Sequence, residues 1–430
     1  MAISPARTAA FDILLQVERE DAYASELLHG ARFAKLSSAD HGLATELVMG
    51  VLRWRSRLDE AIVRESSLRF SKIDSEVLIA LRMAAYQLFF LERVPQRAAI
   101  HESVELVKRA RKSSAAPFAN AVLRKLAKQD TSNLVDLAHP AWMVDRWANE
   151  YGDEIARKIC EYDQRVPQTT IRVFDAAAIS ELENDGFKLE PGSFLTSAYR
   201  VVAGDISKTP AFLQRRLAIQ DEGSQLVAVL AGKGKRILDC CAAPGGKTRI
   251  LARRNPGAKV VAVELHEHRA ELLRRLVSEK NIEVVAADIR EVPVGEGFDC
   301  VLADVPCSGT GTLAHNPEIK WRLKPEDLKD LQARQLLILQ AAMKQVAPGG
   351  RVTYSTCSLE REENEEVVEQ ALAANPEFHL QNCRMELKRL QKEREIRDVD
   401  VDGLTQGAYL RTIPGVQACD GFFAAVLRRD

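Results

Sequence analysis

The sequence predicts an α/β protein assembled from a helical bundle, a small α+β connector and a doubly wound sheet. Three observations carry that expectation. Apolar positions in residues 1–130 recur at helical spacing, with no sustained strand-like alternation. Residues 138–212 mix a helical stretch with short β-like runs. From residue 219 to the end at 430, strand-like and helix-like segments alternate. A chain of 430 residues also exceeds one ordinary core and fits two or three domains.

In the first region Ala10, Ile13, Leu14 and Val17 share one helical face, as do Leu78, Leu81, Ala85 and Leu88. Ser4 predicts an N-cap with Pro5 in the first helical position. In the connector, His139-Pro140-Ala141-Trp142 opens a helix running to about Tyr162, and 168–174 and 198–202 read as strands. The last region has expected strands at 236–241, 260–265, 284–289, 298–305, 351–356 and 421–429. Helices are expected after Thr248, over 266–280 and over 325–346. Repetition of this kind builds a doubly wound parallel sheet.

Composition narrows the class. Hydrophobic residues are 46% and charged residues 28%, as in water-soluble globular proteins. No apolar run approaches the roughly 18 residues of a membrane span, and the opening residues lack an apolar signal core, so no membrane partner and a cytoplasmic setting are expected. Eight cysteines with no CxxC pair predict free thiols, without disulfides or a metal, and a monomer is the expected state. The net charge of −1 is unevenly spread. Lys108, Arg109, Arg111, Lys112, Arg124, Lys125 and Lys128 occur with no acid between Leu106 and Gln129, a pattern that can bind phosphates. Compensating acids cluster at 360–369 and 398–402.

The first strand–helix junction of the α/β region, Leu238 to Thr248, contains Cys241, Ala242, Ala243, Pro244, Gly245, Gly246 and Lys247. Small residues there let a ligand approach the backbone. The segment is neither G-x-G-x-x-G nor a Walker loop, whose first glycine would fall at Cys241, so a nucleoside triphosphate is disfavoured. Glu264 ends the second strand, where an acid grips ribose hydroxyls, and Asp288 ends the third, placed to accept from an adenine amine. Such a loop followed by two ordered acids fits S-adenosylmethionine better than NAD.

Two thiols follow strands on the same rim. Cys307 sits in Asp304-Val305-Pro306-Cys307-Ser308-Gly309 and Cys357 in Tyr354-Ser355-Thr356-Cys357-Ser358. A thiolate adding to C6 of a pyrimidine makes C5 nucleophilic enough to take a methyl group; a base then removes the C5 proton and the thiol leaves. Asp304 can hydrogen-bond cytosine N3 and its amine, and Lys247 adds positive charge. Spacing alone does not rank the two thiols.

These motifs, with Asn316-Pro317-Glu318-Ile319-Lys320-Trp321-Arg322 and Asp420-Gly421-Phe422-Phe423, resemble the Nop/Sun family of RNA 5-methylcytosine methyltransferases over residues 219–430. Leu47 to Val51, Ala99 to Leu106 and Phe118 to Lys125 resemble the antiterminator NusB. The pairing implies an RNA-binding NusB-like bundle ahead of a Rossmann-like S-adenosylmethionine-dependent methyltransferase sheet that modifies C5 of a cytidine in 16S rRNA. By that resemblance Cys357 is the nucleophile, Cys307 assists proton removal and release, Asp304 lies where cofactor and cytosine meet, and Cys241 to Lys247, Glu264 and Asp288 hold the cofactor. Glu264 stands where the family more often has Asp, and the extra methylene still reaches the ribose. The alternatives are the same chemistry on tRNA, or a catalytically silent RNA-binding assembly factor. Retention of both cysteines and of the Gly245-Gly246-Lys247 loop argues against the silent factor.

Overall fold

The structure, a computed structural model, describes residues 3–20, 22–30, 33, 35–129, 137–291 and 297–430; the expected domain limits at 1 and 130 lie outside them. The chain divides into two compact units. One is Met1–Val166 with Leu313–Arg322, the other Pro167–Thr312 with Leu323–Asp430.

The first unit is helical. Its principal helices are Pro5–Glu20, Ser38–Glu65, Ser75–Phe90, Gln96–Arg109 and Ala116–Leu126, followed by Ala141–Tyr151 and Asp153–Asp163. Every residue from Val77 to Gln87 is buried, which makes Ser75–Phe90 the central helix, buried all round with Arg82 paired to Asp59 and Gln87 to Arg7. Gly50 lets Ser38–Glu65 approach it, since a Cβ there would fall 2.0 Å from the Tyr86 ring. Pro5 opens the first helix as expected, but the Ser4 hydroxyl accepts from Arg7 (3.2 Å) and the Ser4 N–H donates to Glu102 (2.8 Å).

The segment Leu313–Arg322 joins this unit through polar contacts that sequence spacing does not reveal. Lys320, 1% exposed, donates from Nζ to the carbonyls of Arg53 and Ala138, both at 2.8 Å. The Trp321 indole donates to the Leu52 carbonyl (2.6 Å), and the Glu318 carboxylate accepts from the Ala24 N–H (3.0 Å). Burial pushes the Lys320 ammonium well below the ordinary lysine range, opposed by the nearby Asp163.

The second unit holds two sheets. Strands β1 (Thr169–Val173), β2 (Leu189–Pro191), β3 (Ala198–Val201) and β4 (Leu217–Ile219) form an antiparallel sheet of order β2-β3-β1-β4. The larger sheet contains β5 (Arg236–Asp239), β6 (Lys259–Glu264), β7 (Ile282–Ala286), β8 (Phe298–Asp304) and β9 (Val346–Thr356). It continues with β10 (Phe378–Gln381), β11 (Thr405–Gln406), β12 (Tyr409–Thr412) and β13 (Phe422–Arg429). The order is β11-β12-β13-β9-β8-β5-β6-β7, and β10 pairs antiparallel with the end of β13 on the side that β12 occupies. Strands β5 to β9 run parallel, whereas β13 pairs antiparallel with β9. The sheet is therefore mixed, where the sequence pattern predicts a parallel one. Strands covered on both faces read as continuous apolar runs, and such runs carry no direction. Alternation supplies the two cores: Ile237, Val260, Leu302 and Val426 face one, and Leu238, Val261, Val301 and Leu427 the other.

The Lys320 environment has a measurable consequence. Its folded pKa lies below the unfolded value of about 10.4, so between the two the unfolded chain binds more protons and stability rises with pH. Lys320→Met should remove this contribution. In thermal unfolding the melting temperature of the native protein, relative to the variant, is expected to rise from pH 7 to pH 10.

Candidate active site

The carboxyl ends of four neighbouring parallel strands bring four acids to one edge: Asp239 on β5, Glu264 on β6, Asp288 beyond β7 and Asp304 on β8. Between β5 and the helix Gly246–Arg254 runs the turn containing Cys241, Ala242, Ala243, Pro244 and Gly245. Gly245 has φ +108°, and a Cβ there would lie 2.6 Å from Leu273 Cδ1, so the turn requires glycine. Asp239, 1% exposed, accepts from Thr248 Oγ1 at 2.7 Å. Burial pushes its carboxyl up to about 7. Burial, then the charges of Asp239, Asp304 and Glu264, push the Cys241 thiol up and keep it neutral.

Glu264 is 4% exposed and accepts from the His266 N–H at 3.1 Å. The sequence places Asp288 at a strand end; the structure ends β7 at Ala286 and sets Asp288 in the following turn, held by the Arg290 guanidinium at 2.5 Å. That contact lowers the Asp288 pKa.

Asp304 and Lys247 form an ion pair at 2.8 Å, and Ser355 Oγ donates to the other Asp304 oxygen at 2.7 Å. Lys247 also lies over the Phe422 ring, 5.1 Å from its centroid. Burial works against the Lys247 ammonium, yet Asp304 outweighs it and holds the pKa above the ordinary lysine value.

The two thiols meet. The pairing of β8 with β9 sets Asp304 opposite Ser355, and the loops that leave these strands bring Cys307 Sγ to 3.2 Å from Cys357 Sγ. The Cys357 N–H points at Cys307 Sγ from 3.3 Å. All eight cysteines are free, and five are buried; Cys307, Cys357 and Cys241 are partly accessible. The hydrogen bond to Cys357, followed by burial and the charges of Cys357 and Glu363, pushes the Cys307 thiol well above the ordinary cysteine range. Gly311 closes the site from below: its N–H donates to the Cys357 carbonyl (2.9 Å) and its carbonyl accepts from the Gly421 N–H (2.7 Å).

The expected set Cys307, Cys357, Asp304 and Lys247 is thus brought together. Sequence reasoning missed Ser355, Asp239 and Glu363. Asp239 carried a signal, being an acid at a strand end, whereas Glu363 was hidden in a run of acids that reads as solvent-exposed.

Comparison with known proteins shows the family and the fold. Residues 227–428 match the family model for 16S rRNA methyltransferase RsmB/F, 4–128 that of the NusB family, and 139–204 that of the ferredoxin-like domain of RsmF/B-like methyltransferases. The probable ribosomal RNA small subunit methyltransferase B of Bacillus subtilis (strain 168) is 33% identical over 450 residues, covering 98% of each chain. This chain belongs to the ribosomal RNA small subunit methyltransferase B family. The crystal structure of PH0851 has the same fold at a TM-score of 0.80 and 23% identity, with complete coverage of both chains. A methyltransferase homolog protein from Pyrococcus horikoshii, 26% identical, superposes with a TM-score of 0.54 over 66% of this chain and 94% of its own.

The methyl donor of the methyltransferase B family is S-adenosylmethionine, and the residues present fit it. The turn at Gly245 offers close backbone approach, and Glu264 keeps a carboxylate at the strand end where ribose hydroxyls are bound. Among the described residues no group of three or more potential metal ligands occurs, and no helix is long and apolar enough to cross a membrane.

Gly311→Ala tests the closure. The added Cβ would lie 2.2 Å from the Gly421 carbonyl oxygen, a backbone atom. Overpacking of this kind costs about 1–3 kcal/mol. Thermal or denaturant unfolding should show the loss, together with lower activity.

Proposed function

We propose that this chain is an S-adenosylmethionine-dependent methyltransferase that acts on C5 of a cytidine in 16S rRNA through a covalent Cys357–C6 adduct. The observation that carries the reading is the pair of thiols 3.2 Å apart, next to the Asp304–Lys247 ion pair. The names of the full-length relatives, ribosomal RNA small subunit methyltransferase B, support the choice of substrate.

C5 of cytosine is a weak nucleophile. The Cys357 thiolate gives its electron pair to C6, and the C5=C6 π pair becomes available at C5. The Asp304 carboxylate would accept from the exocyclic amine, and the Lys247 charge would assist as electron density builds on the ring. S-adenosylmethionine, when bound, supplies the methyl group that C5 takes up. Cys241 to Lys247, Glu264 and Asp288 would hold it. Release then requires a base for the C5 proton.

The coupling of the thiols supplies that base at the right moment. Cys307 is kept protonated chiefly by Cys357. Once Cys357 is a thioether, it no longer holds the Cys307 proton by that hydrogen bond, and Cys307 can release the proton to solvent. Its thiolate takes the C5 proton, the C5–H pair restores the C5=C6 bond, and the C6–S pair returns to Cys357. This order of events supports the role that the family resemblance implies for Cys307.

We further propose three functional segments: 1–130 for RNA binding, 138–212 as connector and 219–430 for catalysis, working as a monomer in the cytoplasm. In the first, Lys108, Arg109 and Lys112 pair with Glu105, Asp12 and Asp74. Arg111, Arg124 and Lys128 have no ion pair among the described residues and would take RNA phosphates. The target base would come from a loop or be flipped out.

Cys307→Ala should accumulate a covalent RNA adduct on denaturing gels, because attack proceeds and release stalls. Cys357→Ala should form none; an adduct with Cys357→Ala would reverse the roles. Bisulfite sequencing of a strain lacking the protein is expected to show lost protection in 16S rRNA. Loss in tRNA instead would point to the other substrate.

A further inference from the structure

Behind the two thiols lies a carboxylate with more donors than a chance contact would collect. Glu363 is fully buried. One of its oxygens accepts from the Ser308 N–H (2.8 Å) and from Gln335 Nε2 (2.8 Å). The other accepts from the hydroxyls of Ser308 and Ser358, which are themselves 3.1 Å apart. Burial raises the Glu363 pKa above the usual carboxylate value, and the four donors work against that rise.

Those donors are the residues that follow the two cysteines. Ser308 succeeds Cys307, and Ser358 succeeds Cys357. Gln335 also donates to the Pro306 carbonyl at 3.0 Å, on the other side of Cys307. The neighbouring Asn364 secures the second loop, accepting from Thr356 Oγ1 (2.5 Å) and donating to the Ser358 carbonyl (2.9 Å). The Tyr354 hydroxyl donates to the Glu363 carbonyl oxygen at 2.5 Å. The thiol loops therefore converge on one side chain, which touches neither sulfur.

We propose that Glu363 is a positioning residue that clamps the two cysteine loops together and holds their thiols at working distance. The inference deepens the covalent reading of the same site and rests on it for its kinetic part. The clamp also carries a charge. The ionisable groups facing the thiol pair are Glu363 behind Cys307, Lys247 and Asp304 beside Cys357, and the Tyr354 hydroxyl. Of these, Glu363 is the anion that acts with Cys357 to keep Cys307 protonated until the adduct forms.

The test uses Glu363→Gln in the full chain, which keeps the shape and removes the charge and two acceptor sites. Misplacing reacting groups by about 1 Å costs on the order of 100-fold in rate. The expected result is a kcat lower by about that factor, S-adenosylmethionine affinity within threefold of native, and Glu363→Asp restoring part of the rate. A second readout needs no RNA: the rate of Cys307 alkylation by iodoacetamide against pH, followed by mass spectrometry. Its midpoint should move to lower pH in Glu363→Gln, since a neighbouring anion has gone. Native kcat with an unmoved midpoint would overturn the proposal. So would equal losses of kcat, cofactor affinity and melting temperature, because that is simple structural damage. If Glu363→Gln does not fold, Ser308→Ala removes one hydroxyl donor to the clamp and should lower kcat with S-adenosylmethionine affinity within threefold of native; native kcat overturns the clamp. A shifted midpoint in a protein that methylates no RNA would sink the proposed reaction and leave the clamp standing.

Discussion

The 3.2 Å contact between Cys307 and Cys357 is the constraint on which the site depends. It originates in the backbone. Parallel pairing of β8 and β9 sets Asp304 against Ser355, so two segments 50 residues apart leave the sheet side by side. A slip of one residue would turn the side chains of β9 to the opposite face and separate the groups. The hydrogen bond from Ser355 to Asp304 ties that register to the chemistry, and the same Asp304 carries the Lys247 ion pair.

Electrostatics give the two sulfurs different characters. Cys307 faces a buried anion, Glu363, and its own partner thiol. Cys357 has the Lys247 ammonium among its charged neighbours. The contact between the two sulfurs is the geometry on which both halves of the proposed reaction would draw.

The parts of this picture that were legible in the sequence are those with local signatures. Cys307, Cys357, Asp304 and Lys247 sit next to strand ends or glycine turns, and the structure unites them. Register across the sheet was not legible, because apolar runs covered on both faces show burial without direction; hence the antiparallel return of β13 on β9 went unread. Glu363 was concealed for a different reason. It lies among Glu360, Glu362, Glu365 and Glu366, and a charge run ordinarily marks a solvated face. The donors gathered around it set Glu363 apart, since Glu360 is buried as well and Glu362, Glu365 and Glu366 are half-buried. The docking of Lys320 was hidden likewise, since its partners are backbone carbonyls of Arg53 and Ala138, far away in the chain.

Methylation at C5 by an attack–release route must expel the C5 hydrogen once per methyl group. The direct measurement uses 16S rRNA carrying tritium at C5 of cytidine and methyl-labelled S-adenosylmethionine, and counts both labels. One tritium released to water for each methyl group gained is the expected result. Methyl transfer to the RNA with no release of tritium would contradict the account, because the acceptor would then be some atom other than C5.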